Sequence, residues 1–515
     1  MPRLPNQIRP ESAVFASGVA SMGLEILAGR MVAPAFGSSV YTWGSIIGVF
    51  LAALSLGYAL GGRYAATHAS NRNLAILSAV SAISVAGVAI GGDPVVAWFD
   101  TLDLVPTRYA TILPVTLLFG PMTFLLGVIS PFAAEQSGAQ SHGSASGRVY
   151  AVGTIGSIVG AFGTTFLLIP AFPVGEVALL LTLPLLVVAV AVGDRHPPVI
   201  AAVGLALVAV GLAGFLVVAG PALTGDTIYE TQTAYSQLEV RESNGVRTMY
   251  IGGVAQSATY VDGREGYVFD YAPYMHLPML MQDDVDRVLF IGGGGFTGPQ
   301  RYAAEYPNVT VDAVEIDPQV VDTAKQYFGL EESDRLNVHV ADGRDFLQST
   351  EHTYDVIVLD AFQTDQVPFH LTTREFVELT HSRLDEDGVF MANVISARSG
   401  EGSAFYRAMV KTVDTTYPHL YTFPTANTAD LQNIELVATK AREGFSRADL
   451  QRLNDERDIG LDLTEEIEQY RRAETVRTND VPVLTDDYAP VDSLLDEQVD
   501  KPYVITGWNG TAATG

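Results

Sequence analysis

Four short polar motifs in the second half of the chain have residue types suited to binding and activating a small molecule. Four consecutive glycines, residues 292–295, let a ligand approach the backbone and direct helix N–H groups toward it. Glu315 is suited to accept hydrogen bonds from both hydroxyls of a ribose, and Asp342-Gly343 to accept one from an adenine amino group. Asp360 is suited to attract an amine and take its proton. These motifs predict a nucleoside-binding site next to a proton acceptor.

Each of these motifs follows a short strand predicted from an apolar, β-rich run. The predicted strands are 287–291, 309–316, 337–340 and 354–359, and helices alternate with them. This order predicts a doubly wound, largely parallel sheet, in which ligands bind at the carboxyl ends of the strands. An alternative interpretation is that the acidic residues cap turns or helices. Their coincidence at four strand ends favours a binding site.

Asp360 is the candidate catalytic residue. Alkyl amines titrate near pH ~10.4, so an attacking amine arrives protonated and must lose a proton before it attacks a carbon next to a sulfonium centre. A carboxylate can attract the cation, orient it and accept the proton directly or through water. A cap is the alternative for Asp360, and a packing role is an equal interpretation for the nearest histidines, His276 and His370.

The stretch from Gly252 to Ser396 resembles the spermidine synthases, the polyamine aminopropyltransferases. The matching motifs are Gly-Val-Ala-Gln at 253–256, the glycine loop, Glu-Ile-Asp at 315–317, Asp-Gly-Arg-Asp-Phe at 342–346 and Asp-Val-Ile-Val-Leu-Asp at 355–360. An N-terminal motif from Glu25 to Trp43, and Leu-Thr-Asp-Asp-Tyr-Ala-Pro at 484–490, resemble a membrane-fused subgroup. The resemblance implies a Rossmann-like domain of the S-adenosylmethionine methyltransferase type.

The resemblance also implies a role for each site residue. Glu315 would bind the ribose, and Asp342 with Gly343 would bind the adenine. Gln256 would contact the nucleoside substrate, and Asp360 would be the catalytic acidic residue. The glycine loop, Gly292, Gly293, Gly294 and Gly295, would lie against the same ligand.

The chain departs from the family pattern at three positions that face the aminopropyl group or the amine. Gly295 stands where the family has an aspartate, Gln363 where it has a second acidic residue, and Ala426 where it has a tyrosine. Asp365 is a candidate replacement for the second acid. The nucleoside half of the site is therefore retained, while the groups that select a decarboxylated cofactor and a polyamine are depleted.

The leading hypothesis is a membrane-anchored transferase that moves an aminopropyl group from decarboxylated S-adenosylmethionine to an amine such as putrescine, without a metal. A first alternative is an S-adenosylmethionine-dependent methyltransferase, or another transferase acting on a membrane or amine substrate. A second is a transporter or sensor whose soluble domain binds nucleosides or polyamines. The acceptor amine and a homo-oligomeric state stay open. Because the chain has no cysteine, disulfides, thiolate metal sites and cysteine nucleophiles are excluded.

The first 220 residues predict a multi-span α-helical membrane domain and a lipid bilayer as partner. Of the 515 residues, 48% are hydrophobic and 17% are charged. Seven apolar runs approach or exceed the length of about 20 residues that a spanning helix needs: 14–34, 41–62, 73–91, 109–131, 149–170, 176–193 and 197–220. Small residues crowd these runs, as at 153–160, and predict close helix–helix approach.

The predicted organisation has four parts. A membrane domain, residues 1–222, precedes a small β-rich subdomain, 223–282, in which Asn244-Gly245 predicts a hairpin. The Rossmann-like domain follows at 283–445, and an acidic C-terminal extension at 446–515.

The acidity of the chain belongs to its second part. Residues 1–220 contain eight basic and eight acidic residues, whereas 221–515 contain 22 basic and 50 acidic ones, which gives the whole net charge of −28. This balance argues against a nucleic-acid partner, because phosphates require a basic surface. Four of the 30 basic residues are lysines. An acidic, lysine-poor surface suits high salt, where self-repulsion is screened, and indicates a halophilic habitat.

The orientation in the membrane is ambiguous. Arginines in the N-terminus and in alternate loops place the N-terminus in the cytoplasm by the positive-inside rule. Seven spans would then put the acidic domain outside the cell. The cofactors implied by the resemblance are cytosolic. We therefore expect a multi-pass protein of the cell membrane with a cytoplasmic soluble domain, and this expectation conflicts with the charge pattern.

Overall fold

The computed structural model describes the chain in ten segments, which form two compact units that part near residue 227. The described residues are 10–36, 39–100, 102, 107–136, 142–192, 197–219, 226–362, 367–428, 430–441 and 444–495.

The first unit is helical. Its helices are α1 (Glu11–Phe36), α2 (Val40–His68), α3 (Asn71–Asp100), α4 (Thr107–Ala110), α5 (Ile112–Gln136), α6 (His142–Gly163), α7 (Val174–Val192) and α8 (Pro197–Ala219), and a π-helical turn, Thr164–Leu168, extends α6. Within the described ranges, seven helices are long and apolar enough to cross a membrane, judged by length and composition. They coincide with the seven predicted runs.

Glycines bring α1 and α6 into backbone contact. A Cβ atom on Gly156 would lie 2.3 Å from the carbonyl oxygen of Phe15, and one on Gly160 would lie 2.4 Å from that of Val19. Any side chain at these positions would push the two helices apart. This geometry confirms the close approach that the small residues at 153–160 predict.

The second unit begins with a small sheet in the order β1-β2-β3-β4. Its strands are β1 (Thr227–Gln232), β2 (Gln237–Ser243), β3 (Val246–Ile251) and β4 (Val254–Tyr260). β2, β3 and β4 pair antiparallel, and Asn244 and Gly245 form the predicted hairpin turn with positive φ angles. A 3-10 turn, Ala272–His276, and the short helix α9 (Pro278–Met281) lead into the next domain.

An eight-stranded sheet in the order β12-β10-β11-β9-β8-β5-β6-β7 forms the Rossmann-like core. The strands are β5 (Arg287–Ile291), β6 (Thr310–Glu315), β7 (Leu336–Val340), β8 (Tyr354–Leu359), β9 (Leu384–Ala397), β10 (His419–Pro424), β11 (Leu431–Thr439) and β12 (Arg471–Arg472). Strands β9, β8, β5, β6 and β7 run parallel, whereas β11, β10 and β12 join antiparallel at one side. The predicted parallel sheet is therefore present with an antiparallel extension.

Helices cover both faces of this sheet. They are α10 (Thr297–Glu305), α11 (Pro318–Tyr327), α12 (Gly343–Ser349), α13 (Arg374–Arg383), α14 (Ala404–Val413), α15 (Arg447–Glu456), α16 (Thr464–Glu468) and α17 (Val491–Leu495). Alternate residues of β8 enter two separate hydrophobic cores, with Val356 in one and Ile357 in the other. The predicted C-terminal extension contributes to both, through Leu450 to the first and Leu484 to the second.

Candidate active site

The carboxyl ends of β5 and β8 meet and join the glycine loop to Asp360. The backbone N–H of Asp360 donates to the carbonyl of Ile291 at 2.8 Å. Gly292 has a φ of +102°, and a Cβ atom there would lie 2.1 Å from the carbonyl oxygen of Asp360. Glycine is therefore required at this position by its backbone conformation and by the space available. The result places the candidate catalytic residue directly beside the loop.

Glu315, at the end of β6, lies against the glycine loop. Its Oε2 accepts the N–H of Gly293 at 2.9 Å, and its Oε1 accepts the N–H of Asp317 at 3.0 Å. Burial raises the pKa of Glu315, while these backbone donors oppose that rise. A carboxylate offers about four acceptor positions. The backbone of Gly294 also hydrogen-bonds to this carboxylate. A contact between its remaining acceptor capacity and ribose hydroxyls stays a prediction.

Asp342 caps the N-terminus of α12. Its Oδ1 accepts the N–H groups of Arg344 at 2.8 Å and Asp345 at 3.1 Å, and its Oδ2 lies 2.8 Å from Nε2 of His370. Burial acts to raise the pKa of Asp342, but the hydrogen bonds from Asp345 and His370 outweigh it and lower the pKa. The alternative interpretation of Asp342 as a helix cap therefore holds for its Oδ1 atom. His370 contacts the other oxygen of this predicted site residue. The adenine contact remains a prediction for Oδ2.

Two further contacts fix the loop around Asp342. A Cβ atom on Gly343 would lie 2.3 Å from a methyl group of Ile291, so α12 begins in close contact with β5. The next residue, Arg344, donates two parallel hydrogen bonds to Asp486, at 2.7 and 2.6 Å. Asp486 belongs to the late motif at 484–490 and also accepts from the hydroxyl of Thr373 at 2.7 Å. The motif at 484–490 therefore supports the loop that is predicted to bind adenine.

Asparagines extend the site beyond Asp360. Nδ2 of Asn393, on β9, donates to Oδ1 of Asp360 at 2.8 Å, and Nδ2 of Asn433, on β11, donates to Oδ1 of Asn393 at 2.9 Å. Burial raises the pKa of Asp360, and the hydrogen bond from Asn393 acts to lower it. This hydrogen bond uses one oxygen of Asp360, and the second oxygen has no hydrogen bond from the described residues.

Glu435 is a third polar residue, after Asn393 and Asn433, that sequence reasoning missed. It lies on β11 directly opposite Asn393 and is fully buried. Burial raises its pKa well above the usual range, and the charge of Asp360 adds to the rise. Neither carboxyl oxygen has a hydrogen-bond partner among the described residues. The available signal was compositional, since Gln432, Asn433 and Glu435 are polar residues within a strand that is buried along its whole length.

Gln256 precedes Ser257, the residue of β4 that contacts Gly295 of the glycine loop. Gln256 is on β4, and its side-chain nitrogen is buried without a partner among the described residues. A Cβ atom on Gly295 would lie 2.6 Å from Oγ of Ser257, so the hydroxyl of Ser257 occupies space that a larger residue at 295 would need. An unpartnered buried amide is the kind of group that a bound nucleoside satisfies.

The other predicted positions contribute less. Gln363 and Asp365 lie outside the described residues. Ala426 is described, and its N–H donates to the side chain of Gln432 at 2.7 Å. His276 is fully buried between the hydroxyls of Tyr267 and Tyr306, and burial lowers its pKa to about 3, so it is neutral and packs. Across the described ranges, no group of three or more His, Asp or Glu residues is arranged to hold a metal ion.

A family model and several known proteins match part of this chain. Residues 272–430 match the family model described as spermine/spermidine synthase domain. The chain is 33% identical over 194 residues to the polyamine aminopropyltransferase of Vibrio vulnificus, covering 35% of this chain and 64% of that protein. It is 29% identical over 289 residues to the probable polyamine aminopropyl transferase of Bifidobacterium longum, covering 53% of this chain and 63% of that protein. The chain thus spans less than two thirds of the length of either relative.

A solved structure shows the same kind of similarity. The crystal structure of a probable spermidine synthase from Corynebacterium glutamicum aligns with a TM-score of 0.42 at 21% sequence identity. The alignment covers 50% of this chain and 96% of that one.

Proposed function

We propose that this chain, of which residues 272–430 match the spermine/spermidine synthase domain, is a membrane-anchored transferase that moves an aminopropyl group from decarboxylated S-adenosylmethionine to an amine such as putrescine. The observation that supports this most is the convergence of the glycine loop, Glu315 and Asp360 at neighbouring strand ends. At these strand ends, Asn393 donates a hydrogen bond to one carboxylate oxygen of Asp360. A nucleoside bound along the loop would present its reacting carbon to that carboxylate.

The groups that would hold the donor substrate are already in position before it binds. The free acceptor positions of Glu315 take the ribose hydroxyls, and the unpartnered nitrogen of Gln256 donates to the nucleoside. Asp342 accepts a hydrogen bond from the adenine amino group. Gly343 has no side chain, so the backbone next to Asp342 packs closely against Ile291. Because the carboxylates of Glu315 and Asp342 are held by backbone hydrogen bonds, these two groups need little reorganisation on binding.

Asp360 would activate the amine. The amine is protonated at neutral pH, and the carboxylate attracts it through the oxygen that Asn393 leaves available. Burial raises the pKa of Asp360, which makes this carboxylate a better proton acceptor than an exposed one. Once deprotonated, the amine nitrogen bonds to the propyl carbon as the carbon–sulfur bond breaks, and the bonding electrons remain on sulfur. The proton passes to Asp360 or to water.

Calorimetry on the purified full chain in detergent tests the donor. We expect decarboxylated S-adenosylmethionine to bind at least tenfold more tightly than S-adenosylmethionine itself, and to support aminopropyl transfer to putrescine. Equal or reversed preference would remove aminopropyl transfer as the function.

One observation favours a second candidate, transfer of a methyl or other group from ordinary S-adenosylmethionine. Gly295 lacks the acid that the family uses to hold the aminopropyl amine, and the neutral hydroxyl of Ser257 lies beside it. A neutral group there repels the carboxylate of ordinary S-adenosylmethionine less than an acid would. Methylation of an amine or membrane substrate, detected by mass spectrometry, would establish this candidate.

We further propose that the helical unit anchors the protein in the cell membrane and that the second unit is cytoplasmic, where its substrates are. Protease treatment of sealed right-side-out vesicles should leave the second unit intact. Its digestion in such vesicles would place it outside, as the arginine pattern predicts.

A further inference from the structure

Glu435 is a buried acidic residue, and no contact among the described residues accounts for its carboxyl group. Both of its oxygens lack a hydrogen-bond partner among the described residues, although the side chain is fully buried in the middle of β11. Such a group is unfavourable in either protonation state, because ionised oxygens need donors and a protonated carboxyl needs an acceptor. Buried polar groups of this kind are normally satisfied by protein, by water or by a ligand.

The position of Glu435 connects it to the candidate active site. Leu359 pairs with Ala392, so Asp360 stands level with Asn393, and Asn393 pairs with Glu435. The row therefore crosses three adjacent strands, β8, β9 and β11. Directly opposed residues of an antiparallel pair point to the same face of a sheet. With strands about 4.8 Å apart, the backbones of Asp360 and Glu435 are about 10 Å apart, and Asn393 lies between them.

The row also places two carboxyl groups on one face of the sheet without a basic partner among the described residues. No described lysine, arginine or histidine forms an ion pair with Asp360 or Glu435, and the charge of Asp360 raises the cost of ionising Glu435. A ligand with two positive charges would relieve both effects at once. A ligand with one positive charge, placed at Asp360, would leave Glu435 unsatisfied.

We propose, on the basis of the proposed function, that Glu435 binds the non-reacting ammonium group of a diamine or polyamine acceptor while Asp360 receives the reacting amine. In this arrangement an acid from β11 supplies a substrate-facing carboxyl group in a chain that has Gln363 where the family has its second acid. Glu435 exchanges no bond during the reaction. Its contribution is the choice of a dicationic acceptor over a monocationic one.

Calorimetry with two matched amines tests this assignment. The full chain in detergent, with and without saturating 5′-methylthioadenosine, is titrated with 1,4-diaminobutane and with butylamine, which differ by one ammonium group. We expect the natural protein to bind the diamine at least tenfold more tightly. Glu435→Gln should weaken diamine binding at least tenfold and change butylamine binding less than twofold. Glu386→Gln, an exposed charge loss on β9, should leave both affinities unchanged.

A second variant guards against a folding defect. Glu435→Met removes the buried polar group, should unfold at a temperature no lower than the natural protein, and should lose the diamine preference in the same way. Retention of that preference in both variants, or its absence in the natural protein, would overturn the inference. If diamine binding depends on Glu435 but decarboxylated S-adenosylmethionine gives no transfer, the inference stands and the proposed function falls.

Discussion

Two features of its surroundings act on the pKa of Asp360 in opposite directions. Burial makes ionisation of its carboxyl harder, while the amide of Asn393, 2.8 Å away, favours the ionised form. The first effect strengthens the carboxylate as a base, and the second keeps enough of it ionised to act. The same amide fixes one oxygen, so the other has a defined direction.

Replacing Asp360 should separate chemistry from binding. We expect Asp360→Asn to lower turnover about 10²–10⁴-fold, the usual contribution of a positioned acid or base. Its affinity for the donor substrate should stay within twofold in calorimetry, because the nucleoside contacts are elsewhere. Asp322→Asn, an exposed change on α11, is the matched control. Normal turnover in Asp360→Asn would remove this residue from the chemistry.

Removing the asparagine should change the pH dependence of the reaction. In Asn393→Leu the burial of Asp360 is no longer opposed by a hydrogen bond, so the pKa of Asp360 rises. More of the carboxyl is then protonated at a given pH, and less base is available. The acid limb of the kcat/KM profile should move to higher pH. A limb that stays in place or moves to lower pH would contradict the support assigned to Asn393.

At the scale of the element, α12 depends on its cap. Asp342→Ala removes the acceptor for two N–H groups and should cost about 1 kcal/mol, which is about 2–4 °C in unfolding temperature. Asp342→Asn keeps a capping oxygen and should cost less. Because the pKa of Asp342 is lowered in the folded state, its contribution is present at neutral pH and is lost as the pH falls through that lowered pKa. Equal unfolding temperatures for all three proteins in scanning calorimetry at pH 7 would refute the cap's contribution.

The pairing of α1 with α6 gives a second prediction for an element. Gly156→Leu would place a side chain where the backbone of α1 lies and should lower the unfolding temperature of the protein in detergent by several degrees. Gly147→Leu is the control, because position 147 is on the same helix with open space around it. Equal effects of the two substitutions would show that the contact is unimportant.

The strand ends that carry Glu315, Asp342 and Asp360 were predictable, because each follows an apolar run that alternates with helices. Asn393 and Glu435 were not, because their importance arises from register: a strand at 384–397 and one at 431–439 had to pair before these side chains met Asp360. Sequence spacing carries no information about which distant strands become neighbours. The same reason explains why Leu450 and Leu484 could not be placed in the cores beforehand.

At the scale of the whole molecule, the charge is concentrated in one of two units. The 50 acidic residues of 221–515 face only 22 basic ones, so repulsion across the surface opposes folding at low ionic strength. The screening length falls from ~10 Å at 0.1 M salt to ~3 Å at 1 M. Concentrated salt should therefore stabilise this protein.

A salt titration tests the proposed halophilic character. The unfolding temperature of the full chain in detergent should rise by several degrees between ~0.1 and ~2 M KCl. Raising osmotic strength equally with a neutral sugar serves as the control for effects that do not depend on charge. A flat or falling response to KCl, or full activity in salt-free buffer, would refute the proposal.

The paired hydrogen bonds between Arg344 and Asp486 also bear on the order in which the protein can be made. The ribosome releases the helices of the first unit long before residue 486, and units fold in roughly the order of their synthesis. The helical unit can therefore fold while the loop at 342–344 still lacks its partner. Binding competence should arrive only after residue 486 has been synthesised, and a chain truncated before it would lack the paired hydrogen bonds that support this loop.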